Sequence, residues 1–198
     1  MKSISYHEVF GYASGILMLL GMVPYVRSIV STKETILNQS SWLIWMVIGF
    51  INFFAYRSSG EKETIWLVLV GAVNPSILFF LSLRYGTRVW LKSDTVCILL
   101  AIASLVVWKI SSNPVLTLTA SLTADLLAII PLLIKIRSDP NSENVPGWVI
   151  GMTASACNIV AIKEWTWANG IYNLYMFIGI GTILFSIVLG RHRKTSPR

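Results

Sequence analysis

Charge is what this chain has least of. Asp, Glu, Lys and Arg make up 13% of it, against roughly a quarter in a soluble domain. No polar segment is long enough to fold as a separate soluble domain, so a globular enzyme with a hydrated surface is not expected. Histidine is nearly missing too. His7 and His192 both lie in terminal segments, where neither can join a buried nucleophile in a triad or close a metal site. There is no CxxC pair and no glycine-rich phosphate loop. Catalysis, a cofactor and a metal are therefore not expected. The two cysteines, Cys97 and Cys157, fall inside apolar stretches and read as packed thiols.

What is present is apolar sequence. It fills 55% of the chain, with a mean hydropathy of +0.67. A helical membrane span needs about 20 mostly apolar residues, and the runs 9–30, 41–57, 64–83, 89–110, 114–136, 147–163 and 169–190 meet that pattern. The expectation is an all-α integral membrane protein with seven transmembrane helices in a lipid bilayer. The first run has no small-residue cleavage site and six more follow it, so it reads as a span and not a signal peptide. The net charge of +7 sits at helix ends and in short loops. It suits headgroups, and no nucleic-acid partner is expected. The connections 1–2, 3–4 and 5–6 and the C-terminal tail hold eleven basic residues, against Lys2, Arg57, Lys62, Lys109 and Lys163 elsewhere. That bias puts the C-terminus in the cytoplasm and the N-terminus outside.

The chain also repeats itself. Trp42 and Asn52 recur 106 residues later as Trp148 and Asn158. The segment 76–83 likewise matches 182–189, and Pro24 recurs at Pro131 after 107 residues. Two three-helix units follow, 1–86 and 113–198, with helix 4 between them at 87–112. Three helices reverse the direction of the chain, and one extra helix restores it. The units are therefore parallel repeats about an axis along the membrane normal, a 3+1+3 arrangement of two parallel three-helix bundles.

These features resemble the PQ-loop and SWEET superfamily, and in particular its short bacterial seven-span members. That superfamily includes sugar transporters, the lysosomal cystine transporter and, as structural relatives, the KDEL receptors. The proline of the PQ pair is present as Pro24 and Pro131, while Tyr25 and Leu132 stand where the glutamines would be. The loops "NQSSWLIW" and "ENVPGW" sit where the family's loop enters the next helix. The resemblance implies a transporter of the bacterial inner membrane, an asparagine pair on spans 3 and 7 represented by Asn74 and Asn173, and proton coupling through an acid on span 5.

The residues themselves suggest where a solute would bind. Trp42, Trp45, Gly49, Asn52 and Tyr56 step by three and four, which sets them on one helical stripe. Trp148, Gly151, Ser155 and Asn158 repeat it. An amide facing lipid would lack partners, so both asparagines are expected to face inward. They would either bond between helices or meet across the two-fold axis around a solute. Trp42 and Trp45 read as interface anchors or stacking groups, and Trp66, Trp165 and Trp167 as belt residues. Asp125 is the carboxylate deepest in a span. It should face a cavity or a partner, where it could exchange a proton or balance a cation. Thr117, Ser121 and Asp125 suggest one polar lining. Lys109 reads as a snorkelling side chain. Lys135, Arg137, Asp139 and Glu143 read as a solvated loop, with pairing across a gate as the alternative.

The expected function is a small-solute transporter working by alternating access. Its midplane site would draw on Asn52, Asn158, Asn74, Asn173, Trp45 and Ser155, with Asp125 for proton coupling or cation binding and Pro24 and Pro131 as hinges. The solute would be a sugar, an amino acid or another small metabolite, and the expectation admits a homo-oligomer. The alternatives are a receptor, sensor or cargo-binding protein of the same fold, and a structural partner in a larger membrane complex.

Overall fold

Short polar caps start most of the helices. In the computed structural model, which describes residues 4–33, 35, 37–88, 90 and 92–195, Ser5 opens α1 (Tyr6–Leu20) with a reciprocal bond to Glu8. Asn38 caps α3 (Gln39–Ser58), Asn113 caps α6 (Pro114–Ser138) and Asn144 caps α7 (Val145–Val160). Each offers its side-chain oxygen to the unpaired amides of a first turn. Asn38 and Asn144 stand 106 residues apart. The remaining helices are α2 (Met22–Val30), α4 (Ile65–Tyr85), α5 (Lys92–Ser111) and α8 (Trp167–Thr195). Lys2, Arg198 and the side chains of Pro131 and Lys194 lie outside the described residues.

Helices α1 and α2 form one rod, Tyr6–Val30, interrupted at Gly21. Pro24 explains the interruption. It has no N–H for the Leu20 carbonyl, and its ring presses on that carbonyl. By contrast, α4 runs through Pro75 and α6 runs through position 131 without a break.

Five helices among the described residues are long and apolar enough to cross a membrane: Tyr6–Val30, Ile65–Tyr85, Asp94–Ser111, Pro114–Ser138 and Trp167–Arg193. The other two expected spans fall short of that standard. Helix α7 has only 16 residues, a length of about 24 Å. Helix α3 has 20 residues but carries Gln39, Ser40, Ser41, Asn52 and Arg57. The outward faces are apolar, with Phe80, Ile134, Ile178 and Phe185 all more than 60% exposed. Water does not tolerate such a continuous surface, and acyl chains do. Trp66, Trp165 and Trp167 also point outward.

Helix α1 packs on α4 and α7, and α3 packs on α4, α5 and α6. Helix α8 packs on α6 and α7, and α5 lies against α6. The rods are laid out so that α2 meets loop 139–144 at one end, here the Tyr25 end, and loops 59–64 and 161–166 meet at the other, the Glu61 end. One apolar cluster, around Tyr56, Leu67 and Tyr172, fills the Glu61 end. Another, around Tyr25, Trp42 and Leu78, fills the Tyr25 end. Cys97 is buried in the seam of α3, α5 and α6, and both cysteines are free thiols.

Candidate functional site

A cavity of about 200 Å³ lies between the rods, on the Tyr25 side of the middle. Helix α3 offers it the first four residues of its stripe, Trp42, Trp45, Gly49 and Asn52. Gly49 allows this by bringing α3 against α4. A Cβ there would stand 2.8 Å from the Gly71 carbonyl oxygen. Helix α7 contributes only Trp148 and Gly151 of its own stripe, together with Gly147. Asn74 and Pro75 enter from α4, Asp125 from α6, and Tyr172 and Tyr175 from α8.

The expected site residues thus divide. Asn52, Asn74, Trp45 and Asp125 share the cavity, while Ser155, Asn158 and Asn173 lie outside it. The two matched asparagines do not meet across it. Ser155 hydroxyl donates to the Gly151 carbonyl of its own helix at 3.0 Å. Asn158 accepts from Ser14 at 2.7 Å and donates to the Thr64 carbonyl at 3.2 Å and to Asn173 Oδ1 at 2.5 Å. Asn173 donates onward to the Asn169 carbonyl at 2.8 Å and to the Tyr56 hydroxyl at 3.3 Å. Asn169 bonds to Tyr56, Thr64 and Glu61. The network joins loop 59–64 to the start of α8 and closes the Glu61 end.

The cavity side is less satisfied. Asn52 Oδ1 accepts from the Ser121 hydroxyl, while its Nδ2 has no partner among the described residues, although the residue is only 5% exposed. Asn74 donates to the Met18 carbonyl at 3.0 Å and leaves its Oδ1 buried and unpaired. Asp125 Oδ2 accepts from the Tyr175 hydroxyl at 2.7 Å. Among the described residues no Lys, Arg or His lines the cavity, and Asp125 is the one carboxylic acid that does. The expected polar face of α6 is narrower than its spacing suggests. Ser121 turns to Asn52, Thr117 bonds the Asn113 carbonyl of its own first turn, and only Asp125 reaches the cavity.

The Tyr25 end corrects a second expectation. Glu143, read as part of a solvated loop, is buried. It accepts from the Tyr25 hydroxyl at 2.8 Å, from Trp148 Nε1 at 3.1 Å and from Lys135 Nζ at 2.9 Å. Trp42 packs edge-on to Tyr25 and Trp45, inside the bundle and not as an outward anchor. Asn144 Nδ2 reaches the Pro24 carbonyl at 3.3 Å. Gly21 and Gly147 bring α2 and α7 so close that a Cβ on Gly147 would stand 3.0 Å from the Gly21 carbonyl oxygen. The cavity is therefore bridged at both ends, by Tyr25–Glu143 and by the Glu61 network.

Ser14 was not singled out from sequence, and Ser121 was read only as part of a polar lining, yet each bonds one of the matched asparagines. They are 107 residues apart, the interval of Pro24 and Pro131, within "YAS" and "TAS". That short match was the available signal. Compared with family models, curated proteins and solved structures, the chain matches none.

Proposed function

We propose that the chain is an integral membrane carrier of a small polar solute, of the PQ-loop and SWEET type, working by alternating access. The units 1–86 and 113–198 are its two halves, and the helix within 87–112 links them. The observation that carries this reading is the doubled Ser–Asn bond. Ser14 of α1 bonds Asn158 of α7, and Ser121 of α6 bonds Asn52 of α3. Each bond crosses from one half to the other, Ser121–Asn52 beside the cavity and Ser14–Asn158 in the network that closes the Glu61 end. The helix contacts support the same two-fold pattern. Exchanging α1, α3 and α4 for α6, α7 and α8 turns α1–α4 and α3–α4 into α6–α8 and α7–α8, and turns α1–α7 into α6–α3. Helix α5 alone has no counterpart.

A solute site between two repeats, closed at each end by contacts between the halves, is the arrangement that rocking requires. The Tyr25–Glu143 contact and the Glu61 network are the two locks, opened in turn. Pro24 and Pro131 weaken their helices near the Tyr25 lock and absorb the bending. Asp125 exchanges a proton as the cavity changes side. The cytoplasm meets the Tyr25 end, where the basic loops lie.

The test is uptake into liposomes of purified protein, with a panel of labelled sugars, amino acids and amines. Saturable accumulation that depends on pH is expected, and Asp125→Asn removes the pH dependence. Saturable binding without accumulation of any solute would instead favour a receptor of the same fold.

A further inference from the structure

The lining of the cavity goes beyond "small polar solute". We propose that its solute is an organic monocation, an ammonium ion on a short apolar or aromatic body, held by Asp125 and the surrounding rings. The transport step rests on the carrier reading; the binding chemistry does not.

Charge comes first. Among the described residues that line the cavity, Asp125 carries the only carboxylic acid, and it receives one hydrogen bond, from Tyr175. The Lys135–Glu143 ion pair lies at the Tyr25 end and does not reach it. A carboxylate without a counter-ion in an apolar interior is costly. A cationic occupant removes that cost, and a neutral one leaves it. The position 107 residues before Asp125 is Met18, which lines the same cavity. The two-fold pattern therefore holds one charge and not two, which fits a single positive group.

The walls agree. Tyr172 and Tyr175 stand at the carboxylate's side, and Tyr25, Trp42, Trp45 and Trp148 close the Tyr25 side. Aromatic faces attract ammonium groups and also take an apolar body. Two competing solutes fit less well. An amino acid brings a carboxylate, and among the described residues no cation lines the cavity to meet it. A sugar brings many hydroxyls and no positive charge for the carboxylate, and the groups open to it are Asn52 Nδ2, Asn74 Oδ1, Asp125 Oδ1, the Tyr172 hydroxyl and the indole N–H groups of Trp42 and Trp45. Each buried hydroxyl left unpaired costs free energy.

The same carboxylate can hold a proton or the ammonium, but not both at full strength. The titratable groups facing Asp125 are Tyr172 and Tyr175 from α8 and Cys97 from α5. All are uncharged at neutral pH by type, and α3 presents only the Asn52 amide. Lowering the pH neutralises Asp125 and releases the cation, so binding weakens as the pH falls.

The experiment is a direct binding measurement on the purified full chain by tryptophan fluorescence and thermal stabilisation. The probes are choline, its neutral isostere 3,3-dimethyl-1-butanol, phenethylamine, and phenylalanine, which adds a carboxylate to that amine. Choline or phenethylamine is expected to bind at least about tenfold more tightly than its partner, and Asp125→Asn to weaken it by a similar factor. Equal binding of choline and the butanol overturns the proposal without needing any variant to fold. Failure of all four probes, or hexose binding that Asp125→Asn leaves unchanged, overturns it as well. In each of those cases the carrier reading stands, because accumulation in liposomes reads it separately. An ammonium that binds but is never accumulated overturns the carrier reading and leaves this one.

Discussion

Asn52 and Asn158 occupy matching places and do different things. Each accepts a hydrogen bond from a serine of the opposite half. Beyond that bond they part. Asn158 spends its amide donor on Thr64 and Asn173, whereas the donor of Asn52 is left to the cavity. The neighbours account for the difference. The position 106 residues before Asn173 is Leu67. The first half has no second amide to close the network, so its asparagine stays available. In the proposed two-fold carrier, duplication is what supplies the symmetric frame. Substitution around one copy made a lock at the Glu61 end, and around the other a binding wall.

The comparison can be broken by removing each amide. Asn158→Leu should have the largest effect on folding. It strands Asn173 Oδ1 and the Thr64 carbonyl in a dry interior, a loss of about 2 kcal/mol. Equilibrium unfolding in mixed micelles reads it, and a loss no larger than that of Asn52→Leu would contradict the lock. Asn52→Leu should cost under about 1 kcal/mol of stability, because Ser121 keeps its bond to the Leu118 carbonyl at 3.0 Å. Its effect should fall on solute affinity, roughly tenfold, read by isothermal titration. Smallest is Tyr25→Phe. It removes one of three hydrogen bonds to Glu143 and should favour opening of the Tyr25 end by about 1 kcal/mol. Spin-label distances across that end measure the shift.

The helices were legible because apolar runs of span length leave few alternatives in a bilayer. Their ends moved by a few residues where Asn caps, not hydropathy, decide the start. The break at Gly21 was legible through Pro24, since a proline strips the carbonyl four residues before it. Asp125 stood out as a lone acid in apolar text. Glu143 did not, because "SDPNSEN" has the composition of a solvated loop. It is buried only because Tyr25 and Trp148, from distant segments, converge on it. The division between Asn52 and Asn158 was hidden for a similar reason. Both sit on the same kind of stripe, and what separates them is Asn173 and Thr64, contacts that no local pattern contains.

The central claim is that the two ends open in turn. Nitroxide pairs at Thr32 and Asn141 span the Tyr25 end, and pairs at Lys62 and Glu164 span the Glu61 end, all at exposed positions. With Cys97 and Cys157 replaced by alanine, each pair's distance can be followed by electron–electron resonance in liposomes as pH and solute are varied. Alternating access predicts opposite changes, with one distance lengthening while the other shortens. Two distances that stay fixed under every condition, or that lengthen together, would contradict it.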